Sequence, residues 1–156
     1  MSDVRLFPIW RQAVQDFLAA RFDWGSMVSH EWLERAFAMD PIADDAALTA
    51  QQFRDRQFVW LQAIEAFKAE LLEDHQILLA SVRGEGYRVV PPGEQTSLTT
   101  EKFESDAKRV YRKAAVRLKN VQVSELSDSQ RRENSDAIAR LAMLRGMQKT
   151  AALTDY

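Results

Sequence analysis

His30 and His75 are the only imidazoles in the chain, and there is no cysteine. Without a thiol, thiolate nucleophiles, disulfides and cysteine-held zinc are excluded. His30 opens the run His30-Glu31-Trp32-Leu33-Glu34, which begins like the zinc helix of a metalloprotease, but Glu34 stands where that motif places its second histidine. His30 therefore reads as a structural or surface residue. His75 falls near the end of an expected helix, where the helix dipole favours a cation. The neighbouring carboxylates Asp44-Asp45 and Glu73-Asp74 point apart on a helix and are solvated in a loop, so neither pair converges on a metal. No phosphate-binding glycine loop, nucleophile elbow or dinucleotide fingerprint occurs; Gly84-Glu85-Gly86 is too short and lies between strand-like runs. No catalytic residue, metal ligand or cofactor is expected, and the chain reads as a binder of macromolecules, not an enzyme.

The chemistry left to place is charge. Residues 1–98 carry 9 Lys+Arg against 15 Asp+Glu, a net of −6, and residues 99–156 carry 12 against 8, a net of +4. The two halves therefore face partners of different charge.

The elements that must carry these charges follow from apolar spacing. Ile9, Ala13, Phe17 and Ala20, with Trp10, Val14 and Leu18, give a broad helical face over Val4–Phe22, with Pro8 near its start. Asp23-Trp24-Gly25-Ser26 reads as a turn. Ser29 caps a short second helix with Trp32, Leu33, Ala36 and Phe37 that ends near Asp40-Pro41. After an acidic loop to Leu48, Thr49 and Gln52 form a capping box that opens a third helix, running to about Asp74 either unbroken or as two helices.

From Ile77 the period changes. Two apolar or β-branched runs, Ile77–Val82 and Tyr87–Val90, flank Arg83-Gly84-Glu85-Gly86, which predicts a β-hairpin ended by Pro91-Pro92-Gly93. A polar loop, Glu94–Thr99, is expected to lead to a fourth helix over about Thr100–Lys119. Phe103, Ala107, Val110, Tyr111, Ala114 and Leu118 share one of its faces, and Lys108, Arg109, Arg112 and Lys113 make a basic ridge on the other side. Ser127 and Gln130 form a second capping box opening a last helix, with Ala137, Ile138, Leu141 and Leu144 inward. The expected fold is mainly α, a three-helix core with one hairpin over residues 1–96, followed by a basic two-helix extension over residues 97–156. The N-terminus has no apolar stretch of signal-peptide length, and no window is long and apolar enough to span a membrane, so a cytoplasmic protein without membrane contact is expected.

The segment Leu79–Val89, with Val82, Arg83, Gly84, Gly86 and Tyr87 in register, resembles the wing hairpin of the winged-helix output domains of two-component response regulators. The likeness covers about a dozen residues, and it implies a DNA-binding regulator of the helix-turn-helix class in which Arg83 and Arg88 contact phosphates from the wing and Tyr87 packs the wing onto the core. Overall the chain also resembles small uncharacterised proteins of phages and prophages. On that footing the expected nucleic-acid contacts are Arg54 and Arg56 at the start of the third helix, Arg83 and Arg88 on the hairpin, and Lys108, Arg109, Arg112 and Lys113 on the ridge. The alternative is a protein-binding module or inhibitor that docks a host protein through its acidic half, around Asp44 and Asp45. In either case the apolar faces of the last two helices can pair within one chain or between two, as a homodimer.

Overall fold

The computed structural model describes residues 8–43 and 45–154, the last four as backbone only. The chain falls into two compact units, Met1–Thr96 and Ser97–Tyr156.

In the first unit, helix α1 (Ile9–Ala20) follows Pro8, whose fixed backbone suits a helix start, and buries Ala13, Val14 and Phe17. It ends at Arg21 in the left-handed conformation. The expected extension of this helix back to Val4 lies outside the described residues. Strand β1 (Met27–Ser29) comes next, then helix α2 (His30–Ala36), capped by the Ser29 hydroxyl, which accepts from the Trp32 amide at 3.1 Å. Thr49 and Gln52 close the capping box at the head of helix α3 (Ala50–His75), which runs unbroken through all 26 residues. Its end is sealed when Ile77 donates back to the Leu71 carbonyl at 2.9 Å, with Gln76 left-handed.

Strands β2 (Leu79–Val82) and β3 (Gly86–Val89) form the hairpin, turned at Gly84 with φ +78°. The hairpin gains a third strand that periodicity did not predict: β1 pairs antiparallel with β3, giving the order β1-β3-β2. Three residues are too few to show a period of two. The expected turn before it is present, with Ser26 bonded to the Asp23 carbonyl, and it is sewn to the sheet as Gly25 donates to Val89 at 2.7 Å and Val89 donates to Ser26 at 2.9 Å.

The core gathers where α1, α2 and the second half of α3 meet the sheet. Phe67 is fully buried, edge-on to Phe17 at 5.9 Å and to Phe37 at 5.5 Å, and Val14, Val28, Leu33, Ile64 and Leu71 fill the space around them. Edge-to-face rings at these separations add to the burial of apolar area. Among the described residues no polar or charged side chain is buried.

The polar segment expected as a loop at Glu94–Thr99 is helical instead, because helix α4 (Pro92–Lys119) starts at Pro92. Proline stops the strand but is well suited to a first helical turn, and Glu94 in that turn favours the dipole. In the second unit α4 is followed by a short 3₁₀ turn, Val123–Glu125, and by helix α5 (Asp128–Thr154), whose Ser127–Gln130 box is formed at 3.0 and 3.2 Å. No helix among the described residues is long and apolar enough to cross a membrane.

Candidate functional site

Helix α3 has two halves with opposite surroundings. Its buried residues, Ala63, Ile64, Phe67 and Leu71, all belong to the second half. The first half projects beyond the core and leaves Phe53, Phe58, Val59 and Leu61 exposed. With about 100° between successive residues, Phe58 points directly away from the buried line, and Leu61 and Leu72 follow it along the same outward stripe. Phe58 retains 62% of its free surface. Phe58 and Leu61 lie one turn apart and form a small exposed apolar pair, and Leu72 follows about three turns further on, beyond Glu65 and Lys68. Arg54 lies within the stripe one turn before Phe58, Asp55 lies beside it, and Glu65, also within the stripe, pairs with Lys68 at 3.1 Å.

Ile42 and Leu48 in the α2–α3 connection are also exposed, Ile42 on the side of α3 opposite Phe58. A shallow pocket of about 240 Å³ opens there, with Met39, Ile42, Phe53 and Trp60 as its apolar wall and His30 and Arg56 at its polar edge. The His30 ring stands edge-on to Trp60 at 5.7 Å and to Tyr87 at 6.1 Å, which gives it a packing role between α3 and the sheet. His75 sits in the last turn of α3. Among the described residues no group of three or more His, Asp or Glu can hold a metal ion. Asp44 lies outside the described residues; Asp45 is exposed.

The residues expected to touch phosphate divide into those already engaged and those facing solvent. Arg56 donates to the Asp40 carbonyl at 2.6 Å and lies 3.6 Å from Glu34, with only 21% of its side chain exposed, so it ties α3 to the end of α2. Arg88 grips Glu94 with both guanidinium nitrogens, at 2.9 and 3.3 Å. This hydrogen bonding raises the Arg88 pKa above its ordinary value and lowers that of Glu94 below the usual carboxylate range. Arg109 pairs with Asp106 at 2.9 Å. Arg54 donates to the Ala50 carbonyl of its own helix at 3.3 Å, and Arg83 in the hairpin turn is exposed. Lys108, Arg112 and Lys113 face solvent on α4. Arg54, Arg56, Arg83 and Arg88 belong to the first unit and the ridge to the second.

Tyr87 is buried in the core, with Lys68 Nζ 5.5 Å from its ring centre. The exposed side of α3 is not legible from periodicity, because the spacing of apolar residues does not say which half of the helix the core will cover. Five residues separate Phe53 from Phe58, which places them on different sides, and that spacing is the available signal. Comparison of the chain with protein-family models, with curated proteins and with solved structures finds no match.

Proposed function

We propose that the first unit is a protein-docking module of winged-helix-like build, which presents the outward stripe of α3, centred on Phe58, to a partner protein. The single observation that carries it is the exposure of Phe58, with Leu61 one turn away, on the side of α3 away from its core. In a helix that enters a DNA groove this side needs donors and cations; here Phe58 and Leu61 stand between Arg54 and the Glu65–Lys68 pair, so large apolar groups occupy its middle. Interfaces concentrate their energy in such aromatic anchors. The net charge of −6 on this half favours a partner whose apolar contact segment is flanked by Lys and Arg.

A second reading, nucleic-acid binding, is favoured by one specific feature: Arg83, at the glycine turn of the hairpin, is exposed where a wing would meet phosphate. Arg54, Lys108, Arg112 and Lys113 are the other cations open to that role, whereas Arg56 and Arg88 would first have to leave their carboxylates.

The two are separated by selecting peptides from a displayed random library on the immobilised full chain, then titrating the selected peptide and a mixed-sequence DNA duplex against wild type, Phe58→Ala and Arg83→Ala. Docking predicts basic, apolar peptides whose affinity drops by at least about tenfold in Phe58→Ala, a loss of roughly 1.4 kcal/mol, with the unfolding midpoint little changed because Phe58 is largely exposed. Duplex binding that weakens with salt and with Arg83→Ala, and no Phe58-dependent peptide, would overturn it in favour of the second reading.

A further inference from the structure

The cations of the second unit are not spread evenly around its helix pair. Lys108 and Lys119 on α4, with Arg145 and Lys149 on α5, line one cleft, in which openings of about 380 and 170 Å³ share Tyr111, Arg145 and Lys149. Among the described residues Glu104 is the one carboxylate on its walls. Lys108, Lys119, Arg145 and Lys149 have no ion-pair partner among the described residues. The acids of the hairpin lie elsewhere: Asp106 is held by Lys102 and Arg109, and Glu133 and Asp136 stand beside Arg132 and Arg140 in a separate surface hollow.

Between the cations the floor is apolar and low. Ala115, Ile138, Leu141, Ala142 and Gly146 line it, and the two alanines and the glycine let another backbone approach closely.

We propose that this cleft seats an acidic amphipathic helix of a partner protein, which completes a three-helix bundle with α4 and α5. The site lies on the second unit alone and is independent of the function proposed for the first.

The floor asks for an apolar stripe, as a pair of helices normally covers such surface by joining a further helix. Charge complementarity then selects the borders of that stripe. Lys108, Arg145 and Lys149 gather at one end of the cleft, and Lys119 stands about three turns further along α4, roughly 16 Å away. The matching helix carries carboxylates beside its stripe at one end and another about eleven residues on. A single nucleic-acid strand fits less well. Grooves for such strands stack successive bases on several aromatic rings, whereas among the described residues Tyr111 is the only ring lining this cleft, over an aliphatic floor.

The test is a displayed library of helices about five turns long, with a fixed leucine stripe and randomised border positions, selected on the immobilised whole chain. Asp and Glu are expected to dominate the selected borders. Lys108→Glu/Lys149→Glu should weaken the best selected helix at least about tenfold, and selection repeated on that variant should turn the borders basic. Ala142→Trp, which fills the floor without changing charge, should weaken it as much, while Glu133→Lys in the other hollow and Phe58→Ala leave it unchanged. All these positions are exposed, so the helical signal should be retained. Should the double variant lose its helices, Lys108→Gln and Lys149→Gln decide singly, each weakening binding about threefold. Borders without acidic preference, or an affinity indifferent to the cleft substitutions, would overturn the proposal. So would a thymidine oligonucleotide that binds this cleft more tightly than any selected helix.

Discussion

Arg88 and Glu94 form a two-pronged ion pair, Nη1 to Oε2 at 2.9 Å and Nη2 to Oε1 at 3.3 Å, that fastens the last strand of the sheet to the first turn of α4. Two parallel N–H to oxygen bonds define direction as well as distance. The end of the strand is thereby tied to the first turn of the helix across Pro91, and the cation expected to seek phosphate is occupied within the chain.

This pair makes stability depend on pH in a definite direction. Bonding to Arg88 holds the Glu94 carboxyl below its ordinary pKa. A carboxylate depressed in the folded state contributes stability above its unfolded pKa, and that contribution is lost as pH falls through the lowered folded value. Glu94→Gln is expected to lower the thermal midpoint slightly at neutral pH, with the difference from wild type closing in acid. Melting curves recorded across that range check it; a pH-independent offset would show that the pair contributes nothing through ionisation.

Gly86 is expected to be the least replaceable glycine. Its φ is +144°, and a Cβ there would run into the Val28 carbonyl, with the Ser29 Cα only 3.0 Å away, both backbone atoms of β1. Gly86→Ala should cost about 3 kcal/mol, from backbone strain and from prising β1 off β3 together. Gly84, at φ +78° with open space around it, is a control in which Ala costs about 1 kcal/mol. Urea unfolding of both variants checks the order, and equal losses would refute the close approach.

Arg54 and Arg56, two residues apart on α3, are expected to behave oppositely. Arg56→Ala removes the donor to the Asp40 carbonyl and the partner of Glu34, and should cost about 1 kcal/mol of stability. Arg54→Ala should stay within about 0.5 kcal/mol. Equal destabilisation of the two would mean that the tie between α2 and α3 is not made in solution.

The parts of the fold legible in the sequence are those with local causes. Thr49–Gln52, Ser127–Gln130 and Ser29 announce helix starts through hydrogen bonds three residues long, and Gly84 announces the hairpin turn. Strand β1 was not legible, since Met27–Ser29 becomes a strand only through pairing with β3. The start of α4 at Pro92 was missed because proline marks both the end of a strand and the beginning of a helix. For the candidate site, the charges of Arg56 and Arg88 could be read, but that Glu34 and Glu94 lie against them could not. The exposed α3 stripe depends on where the core stops, and that is a property of packing.

The pairing of β1 with β3 has a consequence for how the chain comes to be folded. Met27 meets Arg88, roughly sixty residues later in the chain, and loops of that length close slowly. During synthesis α1 and α2 emerge with Val28 uncovered, and only when the hairpin has followed can the sheet close over it. Chains that stop short of Gly86 thus lack the strand that β1 pairs with, and closure of the sheet in the first unit waits on the emergence of its last strand.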